Sequence, residues 1–254
     1  MSEHIISSGG ATNQTPGLIP EGRSVEPGRG LSWISEGWAL FVKSPGIWIA
    51  QILLLVVLNF VLALIPVLGM LVLNLITPLF AAGFLHGCRS LSNGGTLQFD
   101  HLFEGFKTKT SQLIIIGVFL LIGGIIMAAI IAATTGSAAL GVFSGRMDAS
   151  AGFGAMALGI LIAMAISVPI MMAVWFAIPL VFFHDVAPVE ALKHSFFACL
   201  KNIVPFLVYG VVTLILMILA AIPLGLGFFV LAPVLMGSFY ASYLDVFVGD
   251  SKRV

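Results

Sequence analysis

The sequence predicts an all-α integral membrane protein with six transmembrane helices. The chain is 59% hydrophobic and only 9% charged, whereas an ordinary soluble domain carries about 25% charged residues. Its charged residues flank four long charge-free stretches, at 46–88, 110–145, 149–184 and 202–244. An internal repeat further divides the six helices into three parallel units.

The charge-free stretches determine the number of spans, because a transmembrane helix needs about 20 apolar residues. The first and last stretches are each long enough for two helices and a tight turn, and each middle stretch holds one helix. The Gly-, Ala- and Ser-rich segment 134–154 between the middle spans is predicted to be a flexible or small-residue packing loop. The predicted spans are 46–65, 70–88, 112–133, 155–183, 203–222 and 225–244.

The basic residues predict the orientation. With six spans, all of the lysines and arginines except Arg146 lie on one side of the membrane. The positive-inside rule then places both termini in the cytoplasm. The residues on this side are Arg23, Arg29, Lys43, Arg89, Lys107, Lys109, Lys193, Lys201, Lys252 and Arg253.

Composition divides the chain into a membrane domain and two tails. Residues 1–30 are rich in Gly, Ser, Thr and Pro and have no apolar core, which predicts a disordered cytoplasmic tail. The six-span domain covers 31–247, and 248–254 form a cytoplasmic C-terminal tail. The net charge is zero and no nucleic-acid-binding motif is present, so we expect no nucleic-acid partner.

The internal repeat is visible in the prolines of the first and last charge-free stretches. In each stretch the first proline predicts a short hairpin turn. The second proline lies inside a span, where it frees a carbonyl group and kinks the helix. The repeated tripeptides are Ile65-Pro66-Val67 with Thr77-Pro78-Leu79, and Ile222-Pro223-Leu224 with Ala232-Pro233-Val234; Ile178-Pro179-Leu180 is a weaker third version.

A segment with helical apolar spacing precedes spans one, three and five. Its apolar residues recur at steps of three and four and therefore share one helical face, while lysine and glutamate lie off that face. This pattern predicts a helix in the membrane interface, so that each repeat is an interfacial helix followed by a helix hairpin. The three stripes are Leu31, Ile34, Trp38 and Phe41; Phe99, Leu102, Phe103 and Phe106; and Val189, Leu192, Phe196 and Leu200.

Three motifs carry a resemblance to a known group of proteins. They are ALFVKSP before span one, PLFAAGFLHGCRSL at the end of span two and FAIPLVFFHDVAPVEALKHSF at the end of span four. The chain resembles, over residues 30–247, a group of uncharacterised six-span bacterial inner-membrane proteins. These are similar to the membrane domain of some glycerophosphodiester phosphodiesterases. The resemblance implies a fold and a membrane location, and it does not extend to the phosphodiesterase catalytic domain.

The pair His184-Asp185 ends the fourth span and is the first candidate for chemistry. It could transfer a proton, but the preferred interpretation is structural. In that interpretation Asp185 or the following turn caps the next helix, Pro188 occupies its first turn, and Glu190 interacts with the positive end of its dipole.

Histidine and cysteine residues on the same side suggest a metal site as a second, less favoured hypothesis. Imidazole and thiolate groups are ligands of zinc and copper. However, no paired CxxC spacing occurs, and topology accounts for much of the placement of these residues on one side. We therefore expect no metal and no cofactor. The residues concerned are His86, His101, His184, His194, Cys88 and Cys199.

The sequence contains no nucleophile with a nearby base, no paired intramembrane carboxylates and no phosphate-binding loop, so an enzyme is not expected. We expect a non-catalytic protein that organises lipids or a membrane-protein partner at the cytoplasmic interface, where each lysine adds about 1 kcal/mol of attraction to an anionic leaflet. The residues predicted to form this interface are Trp38, Phe41, Lys43, Phe103, Phe106, Lys107, Lys193, Phe196 and Lys201.

The alternative is a small-solute or lipid transporter or channel. Asn59 and Asn74, together with carbonyl groups freed near Pro78, Pro169 and Pro233, would then line a path through the bundle. Against this alternative, every repeat begins on the same side of the membrane. The inverted repeats of many transporters are therefore absent.

Overall fold

All regular structure in the described part of the chain is helical. The computed structural model describes residues 17–249. A 3₁₀ turn at Phe99–Phe103 precedes α4, and a π-helical turn at Leu244–Val248 follows α10. The α-helices are α1 (Arg29–Phe41), α2 (Pro45–Ala63), α3 (Leu68–Ser92), α4 (Glu104–Lys107), α5 (Thr110–Phe143), α6 (Ala149–Trp175), α7 (Ala177–His184), α8 (Pro188–Lys201), α9 (Ile203–Ala221) and α10 (Phe228–Tyr243).

Six helical stretches within these residues are long and apolar enough to cross a membrane. Each overlaps one predicted span, with α6 and α7 together forming the fourth. The all-helical class and the six apolar helices are therefore confirmed. The stretches are Pro45–Ala63, Leu68–Ser92, Thr110–Phe143, Ala149–His184, Ile203–Ala221 and Phe228–Val248.

The segment 134–154 is mostly helical, so the prediction of a loop there was wrong. Helix α5 continues to Phe143 and α6 begins at Ala149. The small residues that suggested a loop instead let the two helices approach closely: Gly159 packs against Thr134, and Gly152 against Val142. Asp148 caps α6 by accepting a 2.7 Å hydrogen bond from the Ala151 amide, which lowers the pKa of the Asp148 carboxyl.

Pro179 and Pro78 each disturb the helical hydrogen bonding of the span in which they lie. Pro179 lacks an N–H group and its ring clashes with the carbonyl of residue 175, and the helix breaks at Phe176, between α6 and α7. Pro78 lies inside α3 and leaves the carbonyl of Asn74 without its helical partner. Gly117 of α5 packs against this carbonyl.

Helices α3 and α10 form the centre of the bundle. Of their apolar windows, 44% and 67% are buried, compared with 11–17% for the other four spans. The largest buried side chains, including Trp48, Phe176 and Phe247, lie near the end of the bundle that carries α1, α4, α8 and most charged residues. We call this end the charged end.

The N-terminal segment 17–28, part of the predicted tail, packs against the C-terminal turn. The amide groups of Ile19 and Arg23 donate 2.8 Å hydrogen bonds to the carbonyls of Phe247 and Val246. The Asn202 side chain accepts from the Val25 amide and donates to the Arg23 carbonyl. Residues 1–16 and 250–254, which complete the predicted tails, lie outside the described residues.

Candidate interaction surface at the charged end

Helix α1 has two apolar faces, of which the sequence analysis recognised one. The unrecognised face carries Trp33 and Gly37 and packs against α9 and α10. At Gly37, helices α1 and α10 are so close that a Cβ atom on residue 37 would overlap the Val234 carbonyl oxygen. The predicted stripe points outward in part: Trp38 is 51% exposed, whereas Phe41 is buried.

The exposed stripe of α1 borders an apolar groove of about 770 Å³ between α1, α9 and α10. Leu31, Ile34 and Trp38 form one wall, and Leu219 and Val230 belong to the opposite wall. The volume lies in the range of small-molecule pockets. Its lining suits a hydrocarbon chain.

The segment before span three repeats the contact made by α1, although it forms a 3₁₀ turn and α4 and not one long helix. A Cβ atom at Gly105 would overlap the Leu79 carbonyl oxygen. The Phe80 ring packs edge-on against both Phe103 and Phe106, with ring centroids 6.1 and 4.9 Å away. Phe106 remains partly exposed, while Phe103 is more deeply packed.

Helix α8 packs against the break between α6 and α7. The Ser195 hydroxyl accepts a 2.8 Å hydrogen bond from the Phe176 amide and donates a 2.6 Å bond to the Met172 carbonyl. This buried serine therefore satisfies backbone groups that the break leaves without helical partners. Phe196 is half-buried, and its neighbour Phe197 is the aromatic residue that α8 exposes.

The predicted interface lysines are all engaged by groups of the protein itself. Lys107 and Lys193 pair with Glu104 and Glu190 one helical turn away, at 3.2 and 2.8 Å. The Lys43 ammonium donates to the carbonyl oxygen of Leu91. The Lys201 ammonium bonds the Glu21 carbonyl and lies 3.8 Å from its carboxylate. The carboxylates beside Lys107, Lys193 and Lys201 reduce the positive field that the sequence suggested, whereas Lys43 faces a neutral carbonyl group.

A fully buried carboxylate, Asp245, forms an ion cluster that the sequence analysis missed. Its Oδ2 atom accepts hydrogen bonds from Arg29 Nε at 2.6 Å and from Trp33 Nε1 at 2.7 Å. Arg29 also pairs with Glu36, and Arg23 Nε donates to the Asp245 carbonyl. The signal was a lone acid in the apolar run YLDVFV, since buried carboxylates require charged or hydrogen-bonding partners.

The pair His184-Asp185 has a structural role. Asp185 ends α7 with a left-handed backbone, at φ 58°, and forms an ion pair with Lys109. Asp185 does not cap α8; the following turn supplies the N-cap residue, Ala187, without a side-chain hydrogen bond, and Pro188 and Glu190 lie in the first turn as predicted. The Lys109 ammonium lowers the pKa of Asp185, and His184 is hydrogen-bonded to the Tyr243 hydroxyl.

The histidines and cysteines are only partly brought together. The rings of His86 and His101 lie 4.9 Å apart, whereas Cys88 and Cys199 are buried. Burial raises the pKa of Cys199 to about 12, so its thiol is protonated at neutral pH. Within residues 17–249 no group of three or more potential ligands occurs.

The two asparagines of the alternative hypothesis bond to their own helices. The Asn59 amide donates to the Leu55 carbonyl and the Asn74 amide to the Met70 carbonyl, each four residues earlier. Asn59 is exposed on the side of α2. Neither residue lines the groove beside α1.

The chain is similar to a bacterial membrane protein. A Burkholderia thailandensis protein named "Probable inner membrane protein" is 30% identical over 251 residues, which cover 86% of this chain and 90% of the relative. No family model and no solved structure matches the chain. With its six apolar helices, the chain belongs to the family of this relative and is a multi-pass protein of the bacterial inner membrane.

Proposed function

We propose that the protein is a non-catalytic membrane component that organises lipids or a membrane-protein partner at the cytoplasmic interface. The supporting observation is that Trp38, Phe106 and Phe197 remain exposed on the three short segments at the charged end. Each lies close in sequence to a lysine. Aromatic and basic residues are enriched at the level of lipid headgroups.

The three short segments support a further proposal, that the fold consists of three parallel repeats with interfacial helices. Gly37 and Gly105 each follow a glutamate, and each packs against the carbonyl of the residue after a kinking proline, Val234 or Leu79. α8 instead packs against the break between α6 and α7. Each segment therefore lies against an even-numbered span, and α1 connects the first repeat to the last.

Charge contributes less to the proposed surface than the sequence suggested. Exposed ion pairs such as Lys107–Glu104 are weak in themselves, but each pairing offsets one positive charge. We therefore assign the interaction mainly to the exposed aromatic side chains and to the groove beside α1, where a lipid acyl chain fits the apolar lining. The proposed orientation places the charged end in the cytoplasm.

Lipid retention by two sets of variants tests the proposal. Replacing Trp38, Phe106 and Phe197 by Ala should reduce the phospholipid or partner that co-purifies in mild detergent. Replacing Lys43, Lys107, Lys193 and Lys201 by Gln should have a smaller effect, present only at low salt. Phe153→Ala, an exposed residue of α6 at the opposite end, is the matched control. If both sets retain wild-type lipid and partner, the surface does not carry the function.

The alternative function is transport of a small solute or lipid. Because Asn59 and Asn74 bond within their own helices, the structure gives this alternative less support than the sequence did. Flux through purified protein in liposomes, abolished by Asn59→Ala or Asn74→Ala but unaffected by the aromatic variants, would replace our proposal with this one.

The resemblance to the membrane domain of glycerophosphodiester phosphodiesterases enters this proposal only as a fold relationship. We propose no phosphodiesterase activity, no cofactor and no nucleic-acid partner. Phosphodiester hydrolysis by the purified protein would contradict this part of the proposal.

A further inference from the structure

The three hairpins of the bundle differ greatly in length on the side opposite the charged end. Helices α2 and α9 have 19 residues each and α5 has 34, which corresponds to about 28 Å and about 51 Å. The hydrocarbon core of a bilayer is about 30 Å thick, and helix tilt reduces the height that a helix spans. Among the described hairpins, only α5–α6 has two helices that are both longer than this thickness, whereas in α2–α3 the 25-residue α3 alone exceeds it, at about 37 Å.

A direct contact gives the relative heights of two hairpins. Gly117 of α5 packs against Asn74 and Leu75 of α3. Away from the charged end, α3 extends from this contact to Leu68, about 9 Å, whereas α5 continues to Phe143, about 39 Å. The α5–α6 hairpin therefore extends well beyond the α2–α3 hairpin.

The tips of the hairpins also differ in chemistry. The short hairpins end in Leu64–Leu68 and Ile222–Phe228, which contain no charged residue. Their side chains are exposed, with Leu224 at 96%. The tip of α5–α6 instead carries Arg146 and Asp148.

Several backbone amide groups of the short tips bond within the tip, which lowers the cost of placing them in a water-free environment. The amide groups of Leu68 and Gly69 bond to the carbonyls of Pro66 and Ile65. The Gly225 and Leu226 amides bond to the carbonyls of Ala221 and Pro223. The prolines at both tips have no amide hydrogen to satisfy.

We propose that the tips of the α2–α3 and α9–α10 hairpins end inside the membrane, in contact with the acyl chains of the far leaflet. The α5–α6 hairpin alone emerges into water on that side. The bilayer around the short hairpins therefore becomes thinner, or lipid acyl chains cover the tips, as expected where a hydrophobic segment is shorter than the hydrocarbon core. This inference is independent of the proposed function.

Cysteine accessibility tests the proposal. Ser144→Cys, at the tip of α5–α6, is the positive control, and wild type, whose Cys88 and Cys199 are buried, is the blank. We expect a membrane-impermeant maleimide to label Ser144→Cys from one side of sealed vesicles. Leu64→Cys and Leu226→Cys should remain unlabelled from that side, yet bind one maleimide more than wild type after denaturation in SDS, which also exposes Cys88 and Cys199. The labelling is carried out on right-side-out and on inside-out vesicles, so that the result does not depend on which way the protein is inserted in the membrane.

A second measurement gives the depth of the tips directly. Nitroxides attached at positions 64 and 226 should collide more often with oxygen, which concentrates in hydrocarbon, than with a water-soluble nickel chelate, and a nitroxide at position 144 should show the reverse. If a variant is not monodisperse, Val67→Cys or Leu224→Cys takes its place. Labelling of either tip from the side that labels Ser144→Cys would overturn the proposal.

Discussion

The residue with the largest expected effect on stability is Asp245. Its carboxylate is fully buried, and it joins Arg29 and Trp33 of α1 to the C-terminal end of α10. A buried ion pair contributes little compared with an apolar replacement of the whole pair, but removing one partner leaves the other charge uncompensated. The cluster therefore constrains which residues may occupy positions 29 and 245 together.

We expect Asp245→Ala to lower the free energy of unfolding by about 3 kcal/mol, the lower end of the range for breaking a buried pair, because Arg29 is 23% exposed and keeps its pairing with Glu36. Denaturant unfolding of the purified protein in micelles measures this loss. Glu36→Ala is the matched control, since Glu36 pairs with the same arginine but is 40% exposed. Its loss should be about 0–1 kcal/mol. Equal losses in the two variants would show that burial of Asp245 does not matter.

The ion pair between Asp185 and Lys109 predicts a pH dependence. Because Lys109 lowers the pKa of Asp185 in the folded protein, the pair stabilises the fold above the unfolded value, near 3.8. This stabilisation is lost as the pH falls through the lower, folded value. The melting temperatures of wild type and Asp185→Asn should therefore differ at pH 6 and converge under acid conditions. A difference that persists below both pKa values would exclude the ion pair as its cause.

At the scale of helices, the spans were predictable and the packing of the short segments was not. Charge-free runs such as 46–88 reveal a span because the bilayer excludes charge. The docking face of α1 depends on Gly30 and Gly37, and glycine adds nothing to an apolar stripe. Segment 134–154 was misread for the same reason, since small residues serve both turns and close helix contacts.

Substitution of the docking glycines tests how the short segments are held. Gly37→Ala and Gly105→Ala each place a methyl group against a carbonyl oxygen, and overpacking of this kind costs about 1–3 kcal/mol. Gly124→Ala in α5 meets open space and should be neutral or stabilising, because alanine favours helix. Thermal unfolding in micelles distinguishes the two classes. Equal melting temperatures for all three variants would mean that α1 and α4 are loosely attached.

At the scale of the whole molecule, the charged end combines the tightest packing with nearly all of the charge. Ionic contacts there involve both ends of the described chain, as in Arg23 with Asp245. The sequence could not predict this contact between the two ends, because almost the whole chain separates Arg23 from Asp245. Arg23 belonged to a predicted tail, and Asp245 directly followed the sixth predicted span. It did predict that ten cations would share one side, and the structure gathers their described members around α1, α4 and α8.

That one-sided arrangement makes the orientation of the protein testable. Reporter fusions after residue 20, within 92–98 and at the C-terminus should all report the cytoplasm, because they join the basic side of the bundle. A fusion within 144–148, between α5 and α6, should report the periplasm. Replacing Arg146 by Ala should leave this pattern unchanged. Arg146 is the one basic residue on the opposite side, so its removal increases the charge difference between the two sides. A periplasmic C-terminus would be incompatible with six spans and a cytoplasmic N-terminus, and it would conflict with the hydrogen bond between Ile19 and Phe247, which holds both ends of the described part of the chain on the same side.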